Sequence, residues 1–428
     1  MSARLIRGQT ISFDEQAKIR HEENGAVAVS GDGKISWCGD FGKLPDEYKS
    51  LPVDDYDRKL ILPGFIDPHI HFPQYRMLAA PGRDLLDWLN RFTFPEEAKY
   101  AVAQYAATAA EVFLDRLIQH GTTSALVFAS SHKASADALF NAAYKRGMAL
   151  GSGKTMMDCN APDSVLDTAE TSGIESDELI VSWHGKGRLH YAITPRFAVT
   201  SSREQLQVAA ELLHRHPDLL MQTHLSENHA EIDFVANKFP DTRDYTDVYD
   251  KFGLLGKNSL FAHGIHLSAR EKARLAESGS TIVHCPTSNT FLGSGLFDLN
   301  AATQAGVGVG LATDIAGGTS YSMLHTMAES YKVAMLSGYK PDVAQLYHMA
   351  TLGNAKLLHQ DSETGSLDQG KWADIIVLDP QATPVLKSRH ELSQSIKGIL
   401  FALMILGDDR AISATYIAGK RYDLMTDR

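Results

Sequence analysis

A chain of 428 residues with 44% hydrophobic and 22% charged side chains, 33 glycines and 15 prolines has an ordinary globular composition. Its length suits two or three domains, or one barrel of about 250 residues with an accessory unit, and excludes a disordered or fibrous chain. The formal net charge of −11 would repel a polyanion, so nucleic acid is excluded as an expected partner.

In chain order, MSARLIRGQTISFDE has no apolar core of the kind a secretory leader needs, so none is read there. Residues 1–64 read as short strands, with Gly31-Asp32-Gly33 between two β-prone runs as a hairpin signal. The texture then changes to short apolar runs alternating with longer amphipathic stretches. Eight such runs stand in order: GFIDPHIHFP, TSALVFAS, MALGSGKTMMD, LHYAITPRF, LLMQTHLSE, SLFAHGIHL, STIVHCPTSN and VGVGLATDI. This alternation predicts an α/β fold, a (β/α)8 barrel of the TIM type over residues 65–370. In 371–428, DIIVLD and AISATYIAGKRY return to β texture, so the two ends are expected to pair as a small β-sandwich domain. The longest apolar run, Ile399 to Leu406, is far short of the ~20 residues that span a bilayer and reads as a buried segment, which predicts no membrane association. Cys38, Cys159 and Cys285 are far apart and form no CxxC pair. Neither a disulfide framework nor a thiolate metal site is expected, and a reducing cytoplasm suits the chain.

Polar residues gather at the C-terminal ends of the eight runs, where a barrel places its active site. His69 and His71 are two apart, so on a strand both imidazoles point to one side and reach a common ion. Alone, the pair reads equally well as two hydrogen-bonded strand histidines. His224 ends the fifth run, His263 the sixth and Asp314 the eighth. Together the five residues predict a catalytic site for a divalent ion such as zinc or iron. Glu227, three residues after His224, reads either as a first-turn helix carboxylate or, beside a metal, as a proton shuttle; Asp314 is the second candidate carrier. Two further features are discounted. Gly151-Ser152-Gly153-Lys154-Thr155 ends like a phosphate loop, but its first glycine position holds Met148. Cys285 reads as a buried strand-end cysteine.

PGFIDPHIHFPQY, KTMMDCNAP, TPRF, QTHLSEN, FAHG, HCPTSNTFLGSG and LATDIAGG stand in this order from about Pro63 to Gly318. With them the chain resembles the amidohydrolase superfamily, and within it the members that deaminate guanine. The resemblance implies one zinc ion on His69, His71, His224 and Asp314, with His263 hydrogen-bonding the metal's water or the substrate. LHYAITPRF lacks the lysine that bridges two metals in binuclear relatives, which implies a single ion; Lys154 on the third run is the alternative bridge. Gln74 and Arg196 are implied on the polar edges of guanine, the guanidinium suiting a carbonyl and disfavouring adenine. Phe72, Pro73 and Phe197 are implied beside the ring, although apart from the motifs Phe72 and Phe197 read equally well as ordinary core aromatics, and His71, His224, Glu227 and Asp314 are implied around it. The implied reaction yields xanthine and ammonia in purine catabolism, Asp314 taking a proton from the attacking water and Glu227 passing one to the ring and the leaving amino group. A homodimer follows from the resemblance alone. The rival expectations are an aminohydrolase acting on 8-oxoguanine, a pterin, a triazine or a pyrimidine, and a non-catalytic subunit of the same fold.

Overall fold

The two ends of the chain meet in one sheet. The computed structural model describes residues 2–83 and 85–422, so 423–428 of the expected C-terminal segment lie outside the described residues. Strands β1 (Arg4–Phe13), β2 (Ile19–Val29), β3 (Ile35–Asp40) and β4 (Val53–Pro63) come from the N-terminal side. A later segment adds β14 (Ile375–Leu378), β15 (Ile412–Ile417) and β16 (Lys420–Tyr422). The sheet has seven strands in the order β16-β15-β14-β4-β1-β2-β3, and its seam is the antiparallel pairing of Leu60–Pro63 with Ile375–Leu378.

Successive strand residues point to opposite faces. Here Leu60, Leu62, Ile376 and Leu378 join the main core, while Ile61, Ile375 and Val377 join a second cluster with Ile6, Val27 and Tyr416. Both faces at the seam are covered, and for that reason LILP and IIVL are apolar throughout instead of alternating. A buried ion pair ties this sheet to the other unit: Arg188 Nη1 donates to Asp374 Oδ1 at 2.9 Å and Arg188 Nη2 to Asp374 Oδ2.

The eight apolar runs become nine parallel strands. They are β5 (Phe65–His71), β6 (Thr122–Phe128), β7 (Ala149–Gly153), β8 (Thr155–Met156), β9 (Leu189–Pro195), β10 (Leu220–Leu225), β11 (Ser259–His263), β12 (Thr281–His284) and β13 (Gly308–Leu311). The order is β13-β12-β11-β10-β9-β7-β6-β5, with β8 against β9. The barrel closes just beyond the strand ends, where Asp314 N donates to His69 O at 3.0 Å and His71 N to Ile315 O at 2.9 Å. Helices cover the outside; in Ala103–Gln119 the buried residues Phe113, Leu114, Leu117 and Ile118 recur at helical spacing and face the core.

The third run contributes two strands because it breaks at Lys154. A side chain at Gly153 would overlap the Ala192 carbonyl, so only glycine allows the approach to β9 there. The buried Lys154 ammonium pairs with Asp167 at 2.6 Å and Glu175 at 2.5 Å. It is thereby spent on the fold rather than on a phosphate or a metal bridge. The run Ile399–Leu406 falls in the helix Ile396–Leu406. Contrary to the expectation of full burial, Leu406 is exposed and Ile399, Phe401 and Ile405 are half-buried, because one face of the helix turns outward. No described helix is long and apolar enough to cross a membrane.

Candidate active site

The C-terminal ends of β5, β10, β11 and β13 bring five side chains to one point. His69 and His71 share a face of β5, and each places Nε2 3.3 Å from Asp314 Oδ1. His224 Nε2 lies 3.2 Å from His71 Nε2. The other nitrogen of His224, Nδ1, is 2.7 Å from the Arg196 carbonyl, which can only accept, so the proton sits on Nδ1 and the Nε2 lone pair points inward. Burial drives the His224 imidazole well below its ordinary pKa and that of His71 down to about 4, leaving both neutral. Burial pulls the Asp314 carboxyl upward, but the His69 and His71 imidazoles outweigh it and hold it well below the usual range.

Three imidazoles and a carboxylate converging on one point are a cation's donor set. One ligand atom from each of His69, His71, His224 and Asp314 lies within 4.8 Å of the others. His69 Nε2, fully buried, makes no well-aligned hydrogen bond among the described residues, only the 3.3 Å approach to Asp314 Oδ1. Such a nitrogen aimed at the cluster fits a divalent ion as its missing neighbour. A second grouping, His69, His263, Cys285 and Asp314, satisfies the same distance limit. Burial raises the Cys285 thiol well above its ordinary pKa, however, and a protonated thiol is a poor ligand.

The backbone bends sharply to make this convergence. Ser226, His263 and Asp314 all take left-handed conformations, with φ of 48°, 70° and 51°. Strained residues at three strand ends around one cavity are what a functional site shows. Beneath them Asp67 ties the first strand to the last: its Oδ1 accepts from His69 N at 3.3 Å and Thr313 N at 3.2 Å, and its Oδ2 from Thr313 Oγ1. Burial lifts its carboxyl to about 7.

Above the cluster lies a cavity. Of the residues expected at a substrate, His71, Gln74, Arg196, Phe197, His224, Glu227, His263 and Asp314 all line it. Phe72 and Pro73 do not line it, and of its two readings Phe72 takes the core one. They open the short 3₁₀ turn Phe72–Gln74, whose side chains diverge by about a third of a turn each. Gln74 is thereby sent into the cavity and Phe72 into the core, 5.0 Å from Tyr100 and 5.4 Å from Phe113.

Glu227 faces the cavity, with Oε2 3.4 Å from His263 Nε2 and Oε1 accepting from Ser294 Oγ at 3.1 Å. Burial chiefly, and then Asp314, raise its carboxyl to about 8. The helix-capping role belongs instead to Glu231, whose Oε2 accepts from the Glu227 and Asn228 amides at 3.0 and 3.2 Å. His263 is fixed from behind by Nδ1, 2.8 Å from Asn289 Oδ1.

Several residues of the site escaped the sequence reading. Leu85, Trp88 and Leu89 supply an apolar wall; nothing in RDLLDWLN separates them from an ordinary amphipathic turn. Asn289 and Ser294 stand inside the motifs already noted, but nothing in the motifs singles them out. Glu97 accepts from Gln74 and Arg196, yet in FPEE it looks like any acidic residue at the start of a helix.

Comparison with known proteins adds to this geometry. The model of the amidohydrolase family matches residues 60–422. The guanine deaminase of Escherichia coli (strain K12) is 48% identical over 418 residues, which cover 96% of this chain and 94% of that protein. The solved structure of E. coli guanine deaminase has a TM-score of 0.94 at 45% identity, covering 98% of this chain and 99% of that one. A guanine deaminase from C. acetobutylicum, solved with guanine bound in its active site, has a TM-score of 0.90 at 33% identity and covers 99% of this chain and 100% of that one.

Proposed function

The chain belongs to the amidohydrolase family, and from that premise we propose that it hydrolyses guanine to xanthine and ammonia. The observation that carries this reading is the one cavity lined by Arg196 and Gln74 for a purine edge and by Glu227, His263 and Asp314 for proton transfer. We assign zinc as the ion that His69, His71, His224 and Asp314 would hold, since a nitrogen and oxygen donor set without thiolates suits it; when bound, such an ion would lower the pKa of a water toward about 7 and so supply hydroxide at neutral pH.

The chain's own groups do the rest. Asp314, kept ionised, accepts the first proton of the water at its carboxylate. Glu227 keeps a proton on its raised carboxyl and delivers it to the ring nitrogen beside C2. His263, steadied by Asn289, orients the water between the two carboxyl groups. A C–O bond forms at C2 to give a tetrahedral intermediate. Glu227, now ionised, takes the remaining hydroxyl proton and passes it to the amino group. The C–N bond breaks and ammonia leaves, and the proton held on Asp314 restores Glu227. Trp88, Leu85 and Leu89 keep bulk water from the ring.

Purine breakdown in the cytoplasm is the setting we assign, the three free cysteines supporting a reducing compartment. A homodimer, with barrel unit 65–370 flanked by 1–64 and 371–428, belongs to the same reading and rests on family resemblance. The test is ammonia release from guanine, 8-oxoguanine, adenine, cytosine and a triazine, with metal content determined on the same protein. Guanine should be fastest, with one zinc per chain; faster release from another ring overturns the substrate, and metal-free inert protein overturns the enzyme. Arg196→Met should lower kcat/KM for guanine by about 10- to 100-fold, the value of a hydrogen bond to a charged group. Steady-state kinetics check this, and an unchanged value would remove Arg196 from recognition.

A further inference from the structure

The helix Phe94–Glu97 places one carboxylate among the buried residues at the barrel mouth. Glu97 is 1% exposed, a costly position for a charge unless it is fully paired. Its partners come from two different strand ends. Oε1 accepts from Gln74 Nε2 and from Arg196 Nη1, each at 3.0 Å, and Oε2 accepts from Arg196 Nη1 at 2.8 Å. The Gln74 carbonyl in turn accepts from Ala316 N at 3.3 Å, which fixes the amide the same way round.

For Arg196 the consequence is directional. Nη1 is committed to Glu97, and the Phe94 ring lies 5.5 Å from the guanidinium carbon. Nε and Nη2 have no hydrogen-bond partner among the described residues, and Arg196 lines the cavity. Its unspent donors, with the second amide hydrogen of Gln74, are what the pocket offers a bound ring. A donor-only array accepts a carbonyl oxygen and rejects an amino group, which also presents hydrogens. Without the carboxylate, Arg196 becomes a long, freely rotating cation that must be ordered each time a ligand binds.

We infer that Glu97 is the positioning residue that makes the site selective for a purine bearing a 6-carbonyl, acting through Arg196 and Gln74 without touching the substrate. This rests on the guanine reading above and adds the origin of its selectivity. The wild type, Glu97→Gln, Arg196→Met and the double variant are compared for guanine kinetics. They are also compared for competitive inhibition by hypoxanthine, which has the carbonyl, and by purine, which lacks it; neither carries an amino group to hydrolyse.

Glu97→Gln should lower kcat/KM for guanine by about 10- to 100-fold, mostly through KM, and raise the hypoxanthine Ki by a similar factor. The purine Ki should not move, and the double variant should lose far less than the product of the two single losses, the remainder being the part carried through Gln74. Should Glu97→Gln fail to fold, Glu97→Asp, which keeps the charge and withdraws the oxygens by one methylene, is read the same way. Parallel weakening of hypoxanthine and purine, or losses that multiply in the double variant, would overturn the inference by making Glu97 a general support of the pocket. Wild-type protein that releases no ammonia from guanine overturns the proposed function itself. An active wild type with an unmoved hypoxanthine Ki in the Glu97 variants overturns this inference alone.

Discussion

Glu227→Gln should lower turnover of guanine by about 10²- to 10⁴-fold, the usual worth of a placed general acid or base, while the protein keeps its metal. The substitution is close to isosteric. A glutamine carbonyl still accepts from Ser294 Oγ, so the hydrogen bond of 3.1 Å that fixes the side chain survives. What disappears is the transferable proton. With burial and Asp314 raising the carboxyl to about 8, Glu227 is the proton donor of the proposed reaction. Asp314, held well below the usual range, is the acceptor in that proposal. Two carboxyl groups pushed apart in this way divide the acid and base work. The candidate ion is held by His69, His71, His224 and Asp314, so metal content should be unchanged by mass spectrometry while kcat collapses and KM moves little. Turnover near that of the wild type would remove Glu227 from proton transfer. Loss of the metal would place it among the ligands instead.

How far this site was legible follows from which contacts have a period. His69 and His71 were readable because a strand returns to the same face every second residue, and His224, His263 and Asp314 because barrel strands end in a common plane. DIIVLD was readable as β texture, but that LILP and IIVL are covered on both faces appears only in the fold. The contacts of Glu97, Asp67 and Asn289 have no such period. Each bonds a group on another element, Arg196, Thr313 and His263 respectively, and no spacing along the chain records a partner about a hundred residues or more away, as it is for Glu97 and Asp67. Phe72 takes its core place for a local reason. Its motif neighbour Gln74 does line the cavity, but a tight turn separates the two side chains, and the turn's geometry is not written in FPQ. The break in the third run was equally hidden, because a buried lysine paired with two acids looks like a surface lysine until the fold surrounds it.

Asp374→Ala should destabilise the protein by about 3–5 kcal/mol, the cost of leaving one partner of a buried ion pair without the other. Asp374 is 2% exposed and Arg188 8%, and the pair joins the residue before β9 of the barrel to the residue before β14 of the terminal sheet. Besides the two guanidinium hydrogen bonds, the carboxylate accepts from Thr364 Oγ1 at 3.1 Å and from Ala418 N at 2.8 Å. Alanine leaves all three donor groups unmet in an interior that water does not reach. Arg188 Nε already lacks a partner among the described residues, so the freed guanidinium keeps only the Gly147 carbonyl at 3.2 Å and the Trp372 ring at 4.9 Å. The site lies at the C-terminal strand ends, the pair at the opposite end of β9. Urea denaturation should therefore show the full loss while guanine kinetics on the folded protein stay close to wild type. The double variant Arg188→Met, Asp374→Leu separates charge from packing. Replacing both ions by apolar groups removes the unpaired guanidinium but still leaves Thr364 Oγ1 and Ala418 N without their acceptor, so part of the loss should be recovered, whereas an equally unstable double variant would show that the unpaired charge is not what destabilises Asp374→Ala.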